Sequence, residues 1–154
     1  MTGAPLRLQR ADEATLSYVE TRLEANGLPS QDVRSKPDCF YIGYDGDERI
    51  GVVGIELYGT DGLLRSVVVE EAVRGQGYGA ALCAVVETEA QSASVDTLYL
   101  LTTNASSFFV DLGYVEIDRS TAPRAIQQTT EFDDICPSTA TCMKKKLCST
   151  RPVL

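Results

Sequence analysis

The six residues Arg74-Gly75-Gln76-Gly77-Tyr78-Gly79 constrain this chain more than any other stretch, because alternating glycines sit where an apolar run meets a helical repeat. Residues 63–69 ahead of them are apolar except for Arg65 and Ser66, the mark of a strand near the centre of a sheet. Behind them Tyr78, Ala81, Leu82, Val85 and Val86 recur at helical spacing and form one apolar face. A strand, a glycine turn and a helix in succession commit the chain to an α/β architecture. Glycine also lets another group approach the backbone closely, and the open N–H groups at a helix start favour an anion such as phosphate. The stretch is therefore either a plain tight connection or an anion cradle.

The other elements fall into place around this unit. Leu6 and Leu8 alternate in a short strand over 5–9. Asp12 caps a helix in which Leu16, Val19 and Leu23 repeat, and Gly27 stops it. Residues 28–38, with Pro29, Ser30, Asp32 and Pro37, read as a loop or broken helix. Strands over 40–44 and 50–58 are joined at Asp45-Gly46-Asp47, and 59–62 turn into the strand over 63–69. Beyond the glycine stretch and its helix come a buried strand over 97–101, a short helix over 105–112 ended by Gly113, and a strand over 114–118. Pro123 opens a last helix reaching about Ile135, and a final strand runs from Pro137 through Met143 toward Leu147. The order β-α-loop-β-β-β-α-β-α-β-α-β describes one α/β (α+β) domain over 1–154, a central mixed sheet flanked by helices.

Composition narrows the chemistry. The length of 154 residues suits one core, and the apolar fraction of 44% is globular. Histidine is absent, which removes Ser-His-Asp, Cys-His and His-ligated metal mechanisms together, and no metal site is expected. Against 14 bases stand 22 acids, a net charge of −8 that repels nucleic acid and anionic membranes, so neither is expected as a partner. Residues 1–10 carry no basic segment followed by a long apolar core, so no secretory signal is expected, and no apolar run is long enough to span a bilayer. Five cysteines, an odd number, read as reduced thiols of a cytoplasmic protein.

Two phosphate-binding fingerprints fit the glycine stretch poorly. A Walker loop needs Gly-Lys-Ser/Thr, which is missing. Gly75, Gly77 and Ala80 read as the dinucleotide pattern G-x-G-x-x-A, but its ribose acid belongs at the end of the next strand and Asp96 precedes that strand. A third pattern fits better. Arg74-Gly75-Gln76-Gly77-Tyr78-Gly79 resembles the Arg/Gln-x-x-Gly-x-Gly/Ala signature of the acetyl-CoA-dependent GNAT N-acetyltransferases. Phe108-Phe109-Val110-Asp111-Leu112-Gly113-Tyr114 resembles their second signature, and the order of elements is similar along nearly the whole chain. Leu28-Pro29-Ser30, Leu63-Leu64-Arg65-Ser66, Leu98-Tyr99-Leu100-Leu101-Thr102-Thr103, Glu131-Phe132 and Cys136-Pro137 are similar to the arsenic-resistance-associated branch of that family.

The resemblance implies the GNAT acyl-CoA N-acyltransferase fold, acetyl-CoA as co-substrate, and acetyl transfer to a primary amine of a small molecule, amino-acid-like or an arsenical metabolite. It implies that backbone N–H groups of Arg74, Gly75, Gln76, Gly77, Tyr78 and Gly79 hold the pyrophosphate. It implies too that the backbone of Val67, Val68 and Val69 pairs with the pantetheine arm, an N–H near Val67 serving the tetrahedral oxyanion. Without histidine, any base must be a carboxylate relaying through water, and Glu56 is the candidate, on the strand where family enzymes often carry a glutamate. Glu56 shares a face with Val52 and Tyr58; the alternative is a solvent-facing strand acid. Arg65 and Ser66, with Tyr58, stand where a substrate anion would be held, the alternative for Arg65 being an ion pair with Glu56.

Two cofactor positions depart from the family pattern. Phe109 falls where the family has its proton-donating tyrosine, and Thr102 where it has an asparagine touching the cofactor. The thiolate then leaves unaided, or Tyr99, Tyr114 or a water supplies its proton; Tyr114 is taken as the catalytic candidate. Phe109 also motivates the alternative of a non-catalytic acyl-CoA-binding or regulatory module. Cys136, Cys142 and Cys148 would lie on one face of a single strand but each about 20 Å from the next, so buried inert thiols are expected in place of a soft-metal site. Lys144, Lys145 and Lys146 read as guards on an edge strand, and the C-terminal strands are where a homodimer would pair.

Overall fold

The computed structural model describes residues 6–27, 30, 33–103, 105–129 and 140–147. Its elements are β1 (Arg7–Arg10), α1 (Leu16–Ala25), β2 (Phe40–Asp45), β3 (Glu48–Tyr58), β4 (Asp61–Val69), α2 (Tyr78–Ser92), β5 (Thr97–Thr102), α3 (Ser106–Asp111), β6 (Val115–Ile117), α4 (Arg124–Gln127) and β7 (Thr141–Lys146). Short 3-10 turns at Pro37–Cys39, Glu71–Val73 and Arg119–Thr121 punctuate them. The strands form a seven-stranded sheet in the order β1-β2-β3-β4-β5-β7-β6, with β4 in the middle. It is mixed, since β4 and β5 are parallel while β1-β2, β2-β3, β5-β7 and β6-β7 are antiparallel. This mixed sheet with its helices is the α+β architecture that the sequence leads one to expect.

The chain divides into two compact units, one built from described residues within 1–55 and 64–86, the other from those within 56–63 and 87–154. The first unit starts on a reciprocal cap. Asp12 Oδ1 accepts from the Thr15 N–H at 3.0 Å while Thr15 Oγ1 accepts from the Asp12 N–H at 2.8 Å, satisfying two donors at the start of α1. The helix then buries Leu16, Val19 and Leu23 against Phe40, Ile42, Val52 and Val68 of the strands. Gly43 and Gly51 face each other across β2 and β3. A Cβ on Gly43 would come within 2.5 Å of Leu82 Cδ2, and one on Gly51 within 2.2 Å of the Val68 carbonyl oxygen. The two glycines thus form a notch that seats α2 by way of Leu82.

The second unit gathers Leu63, Tyr99, Leu101, Ala122, Ile126, Ala140 and Cys142 into its own core. Asp61, Gly62 and Leu63 of β4 pair with Thr97, Leu98 and Tyr99 of β5. Among the described residues that parallel ladder ends there, and β4 runs on to Val69.

Three expectations need correction. The helix opened by Pro123 spans only Arg124–Gln127, because the Thr129 hydroxyl donates to the Ile126 carbonyl at 2.7 Å and closes the turn. The remainder of that expected helix, the start of the last strand, Cys136 and Cys148 lie outside the described residues, as do Leu28-Pro29, Glu131-Phe132 and Pro137. The lysines are not edge guards, since β7 lies between β5 and β6, and Lys145 instead pairs with Glu87 at 2.9 Å. The buried stripe of α2 is Leu82, Cys83, Val86 and Ala90, with Tyr78, Ala81 and Val85 only half-buried.

Candidate active site

The glycine stretch leaves β4 through the 3-10 turn Glu71–Val73 and enters α2 at Tyr78. Gly75 and Gly77 sit at φ 83° and 86°, the left-handed region where a side chain costs roughly 1–2 kcal/mol. A Cβ on either would meet nothing within 4 Å, so the glycines serve backbone conformation and leave open space over the loop. Gln76 is exposed, and Gly79 lies in the first turn of α2. Two side chains pin the ends of the loop. Arg74 Nε donates to the Val69 carbonyl at 3.0 Å and its Nη2 to Asn26 Oδ1 at 2.7 Å. The Tyr78 hydroxyl donates to Asp45 Oδ2 at 2.5 Å, and that acceptor, ahead of burial, holds the phenol above its ordinary pKa. The loop is thereby held at both ends, with open space over its two left-handed glycines at the start of α2.

Ser66 of β4 lies at φ 63°, an unusual left-handed residue inside a strand, and its Oγ accepts from Arg65 Nε at 3.1 Å. Arg65 is 3% exposed, with its guanidinium carbon 5.2 Å from the centroid of the Phe40 ring. Past this irregularity Val67 and Val69 are half-buried and Val68 is buried in the core against α1.

In the second unit Glu56 is 2% exposed, which excludes a solvent-facing strand acid. Its carboxylate accepts a hydrogen bond from the Tyr58 hydroxyl, two residues along the same face of β3, while Tyr58 packs against the core of that unit. A buried carboxylate with a hydroxyl on it can store or pass a proton. Tyr58 is therefore committed to Glu56 in this structure.

Thr102 ends β5, and its Oγ1 accepts from the Ala105 N–H at 3.1 Å, capping the approach to α3. Phe109 is buried edge-on between Phe108 and Tyr114, at centroid distances of 5.0 and 5.5 Å. Tyr114 is 1% exposed, and its hydroxyl donates to Glu87 Oε2 at 3.1 Å. Tyr99, another proton-donor candidate, sits in the same unit's core, where burial and then the charge of Asp61 raise its pKa. The sequence puts Glu56 and Tyr58 on one strand face, and the structure joins them by a hydrogen bond; Arg65 and Ser66, expected to hold a substrate anion, bond to each other. Asp45, Asn26 and Glu87 were missed. Each meets its partner across a long stretch of chain, so local spacing carries no sign of them. Among the described residues no cluster of three or more His, Cys, Asp or Glu side chains could hold a metal ion, and no helix is long and apolar enough to cross a membrane.

Comparison with known proteins adds an independent line. The family model for the acetyltransferase (GNAT) domain matches residues 36–116. Among solved structures, N-acetylglutamate synthase from Neisseria gonorrhoeae, complexed with coenzyme A and N-acetyl-glutamate, superposes with a TM-score of 0.80 at 15% identity, over 96% of this chain and 36% of that one. The chain therefore spans about a third of the synthase. Rv2747 from Mycobacterium tuberculosis, in complex with CoA, gives a TM-score of 0.75 at 16% identity, over 92% of this chain and 99% of that one. The PaiA N-acetyltransferase from Thermoplasma acidophilum, in complex with coenzyme A, gives 0.65 at 11%, over 93% and 99%. No curated protein matches by sequence.

Proposed function

Because the chain belongs to the GNAT acetyltransferase family, we propose that it transfers an acetyl group from acetyl-CoA to a primary amine of a small molecule. The observation that carries this is the loop from Arg74 to Gly79, with two left-handed glycines over open space at the start of α2. Its N–H groups receive the pyrophosphate, and the backbone of Val67, Val68 and Val69, beyond the left-handed Ser66, receives the pantetheine arm. The CoA complexes of the similar structures support acetyl-CoA as co-substrate.

In this reading the Val67 N–H donates to the oxyanion that forms when the amine attacks the thioester. Glu56 takes the amine proton through water, with Tyr58 holding its carboxylate in place. Arg65 and Ser66 hold an anionic group of the substrate. The departing thiolate takes a proton from water or leaves unaided, because the buried Tyr114 hydroxyl is spent on Glu87. An amino-acid-like amine is one substrate class; an arsenical metabolite is the other, resting on the likeness of Leu63-Leu64-Arg65-Ser66 and Leu98-Tyr99-Leu100-Leu101-Thr102-Thr103 to the arsenic-resistance-associated branch. A cytoplasmic setting belongs to the same proposal.

Calorimetric titration of the folded protein at high potassium chloride, first with acetyl-CoA and then with NAD, tests it. Saturable binding of acetyl-CoA and not of NAD is the expected result. Absence of acetyl-CoA binding overturns the proposal. Burial of Phe109 where the family has its acid favours one second reading, a non-catalytic acyl-CoA-binding module. Acetyl-CoA binding without thiol release across a broad panel of amines would select it.

A further inference from the structure

Gly75 and Gly77 give the loop its turn but hold nothing in place. They sit at φ 83° and 86°, nothing lies within 4 Å of where their Cβ atoms would be, and Gln76 between them is exposed. Among the described residues no backbone carbonyl accepts from the N–H groups of residues 75–79. A glycine-rich segment with so few contacts has many conformations open to it, and few of them aim those N–H groups at one ligand. What fixes the loop comes from elsewhere in the first unit. Ahead of the glycines, Arg74 donates from Nε to the Val69 carbonyl at 3.0 Å and from Nη2 to Asn26 Oδ1 at 2.7 Å. Asn26 is itself oriented, because its Nδ2 donates to the Arg22 carbonyl at 2.8 Å at the end of α1. Behind the glycines, the Tyr78 hydroxyl donates to Asp45 Oδ2 at 2.5 Å at the end of β2.

We propose that Asn26 and Asp45 are positioning residues for the acyl donor, acting through Arg74 and Tyr78 to hold the loop in its binding shape before acetyl-CoA arrives. The inference rests on the transferase reading for the identity of that ligand. A loop that is in its binding shape for only a fraction of the time has its dissociation constant raised by the inverse of that fraction. Anchors formed beforehand remove the cost of ordering two left-handed glycines at the moment of binding. A carboxylate repels a pyrophosphate, so Asp45 serves the cofactor by holding Tyr78 and not as a ligand. The same bond holds the Tyr78 phenol above its ordinary pKa, so the donor persists through the neutral and mildly alkaline range. Neither anchor belongs to the core, since Asn26 is exposed and Asp45 half-buried.

Calorimetric titration of the full chain with acetyl-CoA, with the urea midpoint of each variant recorded alongside, tests both anchors. Asn26→Ala weakens acetyl-CoA about tenfold, the scale of one hydrogen bond to a charged group. Asn26→Asp loses the donor to the Arg22 carbonyl but keeps an oxygen for Arg74. It therefore shares the stability loss of the alanine variant and not its loss of affinity. Tyr78→Phe and Asp45→Ala each weaken acetyl-CoA to a similar degree, and Asp45→Asn, which keeps an acceptor, restores it. The double variant Tyr78→Phe with Asp45→Ala is no weaker than either alone. Insensitivity of acetyl-CoA binding to Asn26→Ala or to Asp45→Ala overturns the proposal. So does tighter binding by Asp45→Ala, which would make that acid an electrostatic opponent of the cofactor. Affinity that merely tracks the urea midpoint across the set, Asn26→Asp included, overturns it as well. An unaltered protein that binds no acetyl-CoA sinks the transferase reading and this inference with it, whereas binding indifferent to the variants sinks this inference alone.

Discussion

The two compact units each contain a carboxylate clasped by a tyrosine hydroxyl and a cation, and the two clasps have opposite characters. In one, Glu87 accepts from Tyr114 at 3.1 Å and from Lys145 at 2.9 Å, and Lys145 Nζ lies 5.7 Å from the centroid of the Tyr114 ring. In the other, Glu70 accepts from Tyr18 and from Arg22 at 3.2 Å, and the Arg22 guanidinium lies 5.6 Å from the Tyr18 ring. The first tyrosine is sealed in a core, so its clasp works as an internal staple. The second tyrosine is half-buried, its pKa raised by burial and then by Glu70, and the side chain of its cation is one-third exposed. The same three groups close a core when the ring is enclosed and form a surface clasp when ring and cation stay partly open to solvent.

The largest effect that separates the clasps is on stability. Tyr114→Ala should cost about 3–5 kcal/mol, as for a buried aromatic. Tyr18→Ala, at a half-buried site, should cost about 1–2 kcal/mol. Urea unfolding of the two variants measures both, and equal costs would erase the distinction. Glu56 sharpens the comparison from the other side, because it belongs to the closed unit yet is assigned a reaction step. Glu56→Gln should lower kcat by about a hundredfold or more while leaving acetyl-CoA affinity intact. Steady-state kinetics decide this, and unchanged turnover would make Glu56 one more structural acid.

Next in size is the loop. Gly77→Ala meets no steric obstacle but must hold φ 86°, at a cost of about 1–2 kcal/mol. If the loop relaxes to avoid that strain, acetyl-CoA binding weakens by up to about tenfold, readable by calorimetry. Unaltered affinity together with unaltered stability would mean the loop is not the cradle. The smallest effect concerns Cys142 in the closed unit, where burial pushes the thiol from 9.0 up to about 11. Between those values the unfolded chain has released this proton and the folded chain keeps it. Stability from this group is therefore complete below about pH 9 and falls as pH rises toward 11. Cys142→Ala should flatten that slope in urea midpoints measured across the range.

Local pattern carried most of the architecture. The glycine stretch, the apolar run of β4 and the repeat of Leu16, Val19 and Leu23 are short-range signals, and they place strand, loop and helix where the structure has them. The final helix was overextended because Pro123 announces a start, whereas its end depends on the Thr129 hydroxyl turning back to Ile126. The lysine run was misread because nothing local reveals that β7 is inserted between β5 and β6. At the candidate site, contacts between sequence neighbours such as Arg65 and Ser66 are legible. The clasp of Arg22 on Glu70 and the anchor of Asn26 on Arg74 are not, because both form only after α1 has packed on the sheet. An arginine in the last turn of a helix has an ordinary explanation as a partner of the helix dipole.

The notch formed by Gly43 and Gly51 has a bearing on how this scaffold could be redesigned. Two absent methyl groups set the height of α2 above its strands, and α2 carries the loop, so the donor end of the molecule is adjusted from beneath by subtraction. A variant library seeking new acyl donors should hold position 51 fixed, since a methyl there would run into the Val68 carbonyl of β4, whereas one at 43 meets the end of the Leu82 side chain, which can turn aside. Positions 22 and 25 in the last turn of α1 are open to variation, whereas Asn26 holds Arg74 at the end of the loop and belongs with the fixed set. The fold thus separates an inflexible set of positions from an adaptable one.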